Sequence, residues 1–226
     1  MLLKIIKIIE ETSDTKTFRL ALNENFNFLP GQFIMAEANI NNKLVRRAYS
    51  ISTPPTEKKY LEITVKRIEN GLMSNYLHSL KENASLEIKG PYGHFVLDEK
   101  EKHHVFIAAG CGLAPFMSMI RYVINKTLDI NIALIYSEKT PEYVIFKKEL
   151  DQLQKNKNFK FILTLTRVKE VSKGCSIGRI STDLIKNNAN LKSLFYVSGP
   201  VNMVDSILNL LKELVIPKEK IKIEKY

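Results

Sequence analysis

Apolar and polar positions alternate in short runs through residues 1–98. Leu2–Glu10, Lys16–Leu22, Gln32–Ala38, Arg47–Ser52, Tyr60–Arg67 and Ser85–Lys89 are rich in Ile, Val, Phe, Tyr and Thr. Runs of this kind predict strands, and Pro30-Gly31, Pro54-Pro55 and Asn70-Gly71 punctuate them with turns. A single helix is expected over Leu72–Leu80. The grammar is that of a small antiparallel β-barrel. Beyond residue 100 it changes to strand–helix alternation. Strands are predicted at Val105–Ala109, Ile130–Tyr136, Phe159–Leu165, Leu194–Ser198 and Ile221–Lys225. Helices are predicted at Ala114–Asn125, Tyr143–Gln154, Thr182–Asn187 and Val201–Leu214. Such alternation implies a parallel sheet with helices on both faces. The charged stretch Asp98–Lys102 separates the two patterns, giving expected domains of 1–98 and 99–226.

Composition is ordinary for a globular chain of 226 residues, 45% hydrophobic and 26% charged. The formal charge of +10 is unevenly placed. Residues 1–98 hold 13 Lys/Arg against 11 Asp/Glu, and residues 99–226 hold 21 against 13. A basic second half attracts phosphate-bearing ligands or acidic partner proteins, and a generally lysine-rich composition accounts for it equally well. The aromatics do not interleave with a basic stripe, so nucleic acid is not an expected partner. Cys111 and Cys175 stand apart, without C-x-x-C spacing or a nearby His cluster. No metal site is expected from them, and isolated thiols suit a reducing, cytoplasmic compartment. Lys4 and Lys7 interrupt the apolar N-terminus, which reads as a first strand. Apolar runs fall far short of the roughly 20 residues of a membrane helix. A monomer is expected.

Two segments carry candidate chemistry. Ala109-Gly110-Cys111-Gly112-Leu113-Ala114-Pro115 follows an apolar strand and opens a helix. Glycines there let the backbone approach a pyrophosphate, and the helix start supplies N–H groups. Pro115 suits the first helical turn. The third glycine of the usual dinucleotide fingerprint is missing, and a plain tight turn would look similar. The second segment, Arg46-Arg47-Ala48-Tyr49-Ser50-Ile51-Ser52, lies on a predicted barrel strand. It combines a cation, an aromatic plane and a hydroxyl. Gly71-Leu72-Met73-Ser74 then offers a second helix start able to bind an anion.

Together these segments resemble the ferredoxin–NADP⁺ reductase family over essentially the whole chain. Arg47-Ala48-Tyr49-Ser50 matches its R-x-Y-S flavin motif, and Lys66-Arg67 with Gly71–Ser74 is similar to its second FAD motif. Gly90-Pro91-Tyr92-Gly93-His94-Phe95 matches a turn beside the flavin, and Gly110–Pro115 matches the nicotinamide-nucleotide loop. Ser198-Gly199-Pro200-Val201-Asn202-Met203 matches C-G-P-x-x-M, with Ser for the frequent Cys.

The resemblance implies an FAD-containing, NAD(P)H-dependent reductase without a fused iron–sulfur domain. It implies that Arg47 pairs with the FAD pyrophosphate, Tyr49 stacks on the flavin and Ser50 bonds near its reactive nitrogen. Ala48, Val65, Lys66, Gly71, Leu72, Met73 and Ser74 complete the FAD site. Gly110, Cys111, Gly112, Leu113, Ala114, Pro115, Gly199, Pro200 and Met203 would cradle NADH or NADPH, with Ser198 near the nicotinamide. Glu224 and Tyr226 match a terminal E-x-Y, in which the aromatic covers the flavin. For a 2′-phosphate, Ser137, Lys139, Thr166, Arg167, Lys169 and Lys173 favour NADPH, as does the basic second half, whereas Glu138 favours a ribose hydroxyl. The expected acceptor is a ferredoxin, flavodoxin or another redox protein. The alternatives are a free-flavin reductase and an electron-transfer subunit of an oxygenase or larger redox complex.

Overall fold

Strand-forming residues at period two build the first half. A computed structural model describes residues 1–22, 25–171 and 174–226. Six strands, β1 (Leu2–Thr12), β2 (Thr15–Ala21), β3 (Phe33–Ile40), β4 (Lys43–Ser50), β5 (Tyr60–Lys66) and β6 (Ser85–Tyr92), form an antiparallel sheet in the order β4-β3-β6-β1-β2-β5. Ile51 bridges Ile63, and the Ser52 N–H donates to the Glu62 carbonyl at 2.9 Å, so the chain leaving β4 meets β5 and the sheet closes. Inward residues such as Phe18, Leu20, Ile34, Leu61, Ile63 and Ile88 fill the barrel. Helix α1 (Leu72–Ser79) adds Met73 and Leu77 to that core. β4 begins at Lys43 because Asn41 and Asn42 both take positive φ, 50° and 60°, in a two-residue hairpin turn.

In the second half β7 (His103–Ala109), β8 (Asn131–Glu138), β9 (Phe159–Leu165), β10 (Cys175–Ile177), β11 (Leu194–Gly199) and β12 (Ile221–Lys225) form a sheet in the order β10-β9-β8-β7-β11-β12. Every pairing is parallel. The helices are α2 (Leu113–Asn125), α3 (Lys147–Leu153), α4 (Thr182–Asn188) and α5 (Val201–Glu213). Val204, Ile207 and Leu211 of α5 and Ile185 of α4 pack against Val105, Ile107, Phe195 and Val197 of the sheet. Successive strands run outward from β7 to β10, and the chain then returns to β7's other side as β11. That reversal is where open α/β sheets present a ligand crevice, at the carboxyl ends of their strands. Among the described residues, no helix is long and apolar enough to cross a membrane.

Packing divides the chain into 1–97 with 114–126, and 98–113 with 127–226. These compact units differ from the 1–98 and 99–226 reading in one element, since α2 beyond Leu113 packs with the barrel. The cause is polar as well as apolar. Ser118 Oγ donates to the Thr53 carbonyl at 2.6 Å, and Asn125 Nδ2 to Thr56 Oγ1 at 2.9 Å. The rings of Phe116 and Phe95 lie 5.7 Å apart. Arg121 Nη1 donates to the Ser52 carbonyl at 2.8 Å and to Glu62 Oε2 at 3.2 Å. Glu62, its side chain only 5% exposed, also accepts from Arg19 Nε and Nη2 at 2.9 and 2.8 Å. Arg19 in turn lies 3.9 Å from the Tyr60 ring centroid.

A buried carboxylate held by two arginines is costly to neutralise, because its partners then lose their counter-charge. Glu62→Gln should therefore lower unfolding stability by about 2–3 kcal/mol. Urea denaturation would read this, and a loss below the error of the measurement would contradict the role assigned to the pair.

Candidate functional sites

The first site is built on β4 and α1. Along β4 successive side chains face opposite ways, which separates the two arginines. Arg46 pairs with Glu37 at 2.6 Å, and Lys89 holds the second Glu37 oxygen at 2.9 Å. Arg47 is exposed and bonds only the neighbouring Arg46 carbonyl, at 2.7 Å. No carboxylate pairs with it among the described residues. Its remaining donors are thus available to an anion. Tyr49 is half-buried against the barrel core, Ser50 is half-buried, and Ala48 is exposed.

α1 starts at Leu72 after Gly71, with no side chain capping it. Ser74 does not cap the helix. Its hydroxyl donates to the Gly71 carbonyl at 3.2 Å and accepts from the Ile68 N–H at 3.1 Å, bracing the preceding turn. The first-turn N–H groups carry the positive end of the helix dipole. An uncapped helix start and an arginine without a carboxylate suit a pyrophosphate. Lys66 is committed differently: its ammonium pairs with Asp14 at 3.1 Å. Val65 is buried in the core, as is Met73, and Leu72 is exposed.

The second site lies at the carboxyl ends of β7, β8, β11 and β12. The segment Gly110–Gly112 forms one 3₁₀ turn that leads into α2. Gly110 takes φ +56°, a left-handed conformation that a side chain resists. Gly112 meets a harder constraint: a Cβ there would lie 2.2 Å from the Ser198 carbonyl oxygen and 2.9 Å from the Gly199 nitrogen. The two glycine motifs are therefore in backbone contact. Ser198 is fully buried beneath the loop, and its Oγ lies 3.5 Å from Glu224 Oε2, its register partner on β12. Pro200 leads into α5 without a side-chain cap, while Met203 is half-buried against the unit's core. Cys111 is a half-buried thiol that forms no disulfide. Leu113 and Ala114 are buried.

Tyr226 reaches into this loop. Its hydroxyl donates to the Ala109 carbonyl at 2.9 Å and accepts from the Gly112 N–H at 3.0 Å. The residue is 57% exposed, but its hydroxyl end is enclosed, which pushes the phenol's pKa upward. A pyrophosphate approaching the loop would seek that same N–H. Tyr136, wholly buried, directs its hydroxyl towards the Gly110 carbonyl at 3.2 Å and Glu138 Oε1 at 3.0 Å. Burial, with the Glu138 charge behind it, drives the Tyr136 pKa well above the ordinary phenol value. The turn after β9 is tied to the end of β8. Thr166 gives both its N–H and its hydroxyl to the Glu138 carbonyl, at 2.9 and 3.2 Å, and the Arg167 N–H bonds the Lys139 carbonyl at 2.8 Å. Lys173 lies outside the described residues. No cluster of three His, Cys, Asp or Glu able to hold a metal occurs among those described.

The model for an oxidoreductase FAD-binding domain matches residues 2–97, and that for an oxidoreductase NAD-binding domain matches residues 106–208. The chain is 31% identical to NADH-cytochrome b5 reductase 1 of Laccaria bicolor, over 89% of this chain and 68% of that protein. It belongs to the ferredoxin–NADP⁺ reductase family. Another family relative is the glycine betaine monooxygenase reductase subunit of Pseudomonas aeruginosa, 34% identical over 67% of the chain. This match spans 43% of that subunit's length. The fold is also that of a ferredoxin NADP⁺ reductase from Neisseria gonorrhoeae solved with FAD and NADP. The two superpose with a TM-score of 0.86 at 23% identity, covering 100% of this chain and 98% of the other. The chain thus holds an FAD-binding domain that precedes an NAD-binding one.

The reductase-family motifs of the second half are thus brought together, Gly110–Gly112 against Ser198–Gly199 and both against Tyr226. Arg121, Glu62 and Tyr136 were not legible as functional from the sequence. The one signal was Arg121, the single charged residue of the helix Leu113–Asn125.

Two outcomes follow from the loop geometry. Gly112→Ala, forced against the Ser198 carbonyl, should weaken NAD⁺ or NADP⁺ binding about fivefold to a hundredfold, by overpacking of about 1–3 kcal/mol. Bound FAD should be retained, and an unchanged nucleotide titration would show that the contact does not shape the site. Tyr226→Phe frees the Gly112 N–H and removes a bond of about 1 kcal/mol, so nucleotide affinity should rise about threefold to tenfold. A fall in affinity in the same titration would mean that the phenol assists the nucleotide and does not compete with it.

Proposed function

We propose that this chain takes reducing equivalents from NADH or NADPH through bound FAD and delivers them to a redox protein. The observation that carries the proposal is the pairing of two anion-binding devices on one chain. One combines the exposed Arg47 of β4 with the uncapped start of α1, and the other is the glycine loop packed on Ser198. When bound, FAD supplies the conversion between a two-electron donor and one-electron acceptors.

The chain's own residues have separate tasks. Arg47 and the first turn of α1 hold the FAD pyrophosphate, while Tyr49 and Ser50 line the flavin. The Gly110–Gly112 amides hold the nucleotide pyrophosphate once Tyr226 yields the Gly112 N–H. Ser198, buried under that loop, positions it, and Glu224 lies beside Ser198 at the strand ends. A ferredoxin, a flavodoxin or an oxygenase component is the proposed acceptor, and the monooxygenase reductase relative favours the last. Cys111 and Cys175, which form no disulfide, support a cytoplasmic location.

The purified protein should show flavin absorbance that bleaches on anaerobic addition of NADH or NADPH. Arg47→Ala should weaken FAD binding by about 1.5–3 kcal/mol, the usual worth of a hydrogen bond to a charged group. A colourless protein that binds no added FAD would refute the reading.

A further inference from the structure

Asn70 takes φ 59°, a left-handed conformation that few residues besides Gly and Asn adopt readily. Gly71 follows it, and a Cβ there would lie 2.6 Å from Ser74 Oγ and 3.1 Å from Ile68 Cβ. Ser74 Oγ cannot retreat without releasing the Ile68 N–H and the Gly71 carbonyl that it bonds. Backbone shape thus selects Asn at one position and contact selects Gly at the next. The result is the one Asn-Gly pair in the sequence. Such a pair is chemically labile, because a glycine nitrogen reaches the preceding side-chain amide without steric hindrance. Asn70 is exposed and lines a surface groove with Ser13, Asp14, Arg67, Glu69 and Asn75. Among the described residues no hydrogen bond engages its side chain. The Gly71 N–H bonds the Ile68 carbonyl at 3.0 Å, so a local opening of that one bond frees the nucleophile.

We propose that Asn70 is a site of spontaneous deamidation whose products weaken FAD binding at the start of α1. The effect on FAD rests on the proposed use of that helix start by its pyrophosphate; the chemistry at Asn70 does not. The Gly71 nitrogen loses its proton to solvent base and attacks Asn70 Cγ. The Cγ–Nδ2 bond breaks, ammonia leaves, and a five-membered succinimide closes. Water then opens the ring at one of its two carbonyls. Addition at Cγ restores the ordinary backbone with a carboxylate side chain, and addition at the main-chain carbonyl routes the backbone through Cγ as an isoaspartyl link. Water is consumed, ammonia is released, and nothing is oxidised or reduced. The carboxylate product puts a negative charge just before the uncapped helix start, where it competes with an incoming anion for the same dipole. The isoaspartyl product lengthens the backbone by one carbon and displaces the Gly71 carbonyl. That carbonyl accepts from Ser74 Oγ, the Asn75 N–H and Asn75 Nδ2, at 3.2, 3.0 and 2.8 Å, so the first turn of α1 is disturbed.

Incubation of the protein in warm, mildly alkaline buffer, with and without saturating FAD, tests this by peptide mass mapping and isoaspartate analysis. The peptide spanning Asn70 should gain the mass of an amide-to-acid exchange sooner than any other asparagine peptide. Saturating FAD should slow that gain at least about threefold, since a ligand that holds the closed turn suppresses its opening. Fresh Asn70→Asp should bind FAD about twofold to tenfold more weakly, the scale of one charge at a helix start. Asn70→Gly accepts the positive φ and has no amide to lose. It should bind FAD as the fresh wild type does and keep that affinity through the incubation. An Asn70 peptide that stays intact while others change, or equal rates with and without FAD, would overturn the proposal. So would modified protein that binds FAD undiminished, or the same loss of affinity in aged Asn70→Gly. Fresh protein that binds no FAD would instead refute the flavin reading, while the mass change at Asn70 stays measurable.

Discussion

The backbone of Gly112 lies against the Ser198 carbonyl at a separation that no side chain permits, and the proposed nucleotide site is built on that contact. It forces the turn after β7 down onto the end of β11, at the point where strand order reverses. Everything else at this crevice follows from it. Ser198 becomes buried, Gly110 is turned into a left-handed conformation, and the loop's amides face the space that Tyr226 and Glu138 border. A glycine loop without this contact would be only a tight turn, which is how the isolated segment reads in the sequence.

The barrel's counterpart is electrostatic. Glu62 gathers Arg19 from β2 and Arg121 from α2 around one buried carboxylate, and Arg121 also binds the Ser52 carbonyl next to the barrel's closure. α2 therefore packs with the barrel although its first residue follows the nucleotide loop in sequence. The division between units falls between Leu113 and Ala114, inside the loop's own motif. Charge here works through pairing, since Glu37 likewise holds Arg46 and Lys89, whereas Arg47 has no carboxylate partner among the described residues.

Most of the fold was legible because period-two and strand–helix patterns are long and clear. Phe159–Leu165 and Ile221–Lys225 are found as predicted. What was missed had local causes. The strand Cys175–Ile177 is too short to show a period and exists by pairing with β9. The helix expected from Tyr143 starts at Lys147, because Pro141 opens a separate 3₁₀ turn and Phe146 takes a left-handed conformation at φ 53°. The FAD and nucleotide motifs were readable as residue types at fixed spacing. Their polar supports were not: Glu62 with Arg121, and Tyr136 with Glu138, are partners only through strand pairing and helix packing.

The two sites treat negative charge differently, and the difference is set at single residues. Both present backbone N–H groups from a turn that opens a helix, a device that accepts any pyrophosphate. At the barrel site Arg47 adds a cation, so the site simply favours anions. At the second site the buried carboxylate of Glu138 lies by an otherwise anion-seeking loop, held by the Tyr136 hydroxyl and the Lys139 N–H. Net charge sums over residues whose fields reach a site unequally; a buried carboxylate is screened less than the solvated lysines on the same half of the chain. The +10 of the whole chain therefore describes a general attraction for anions and not the field at either site.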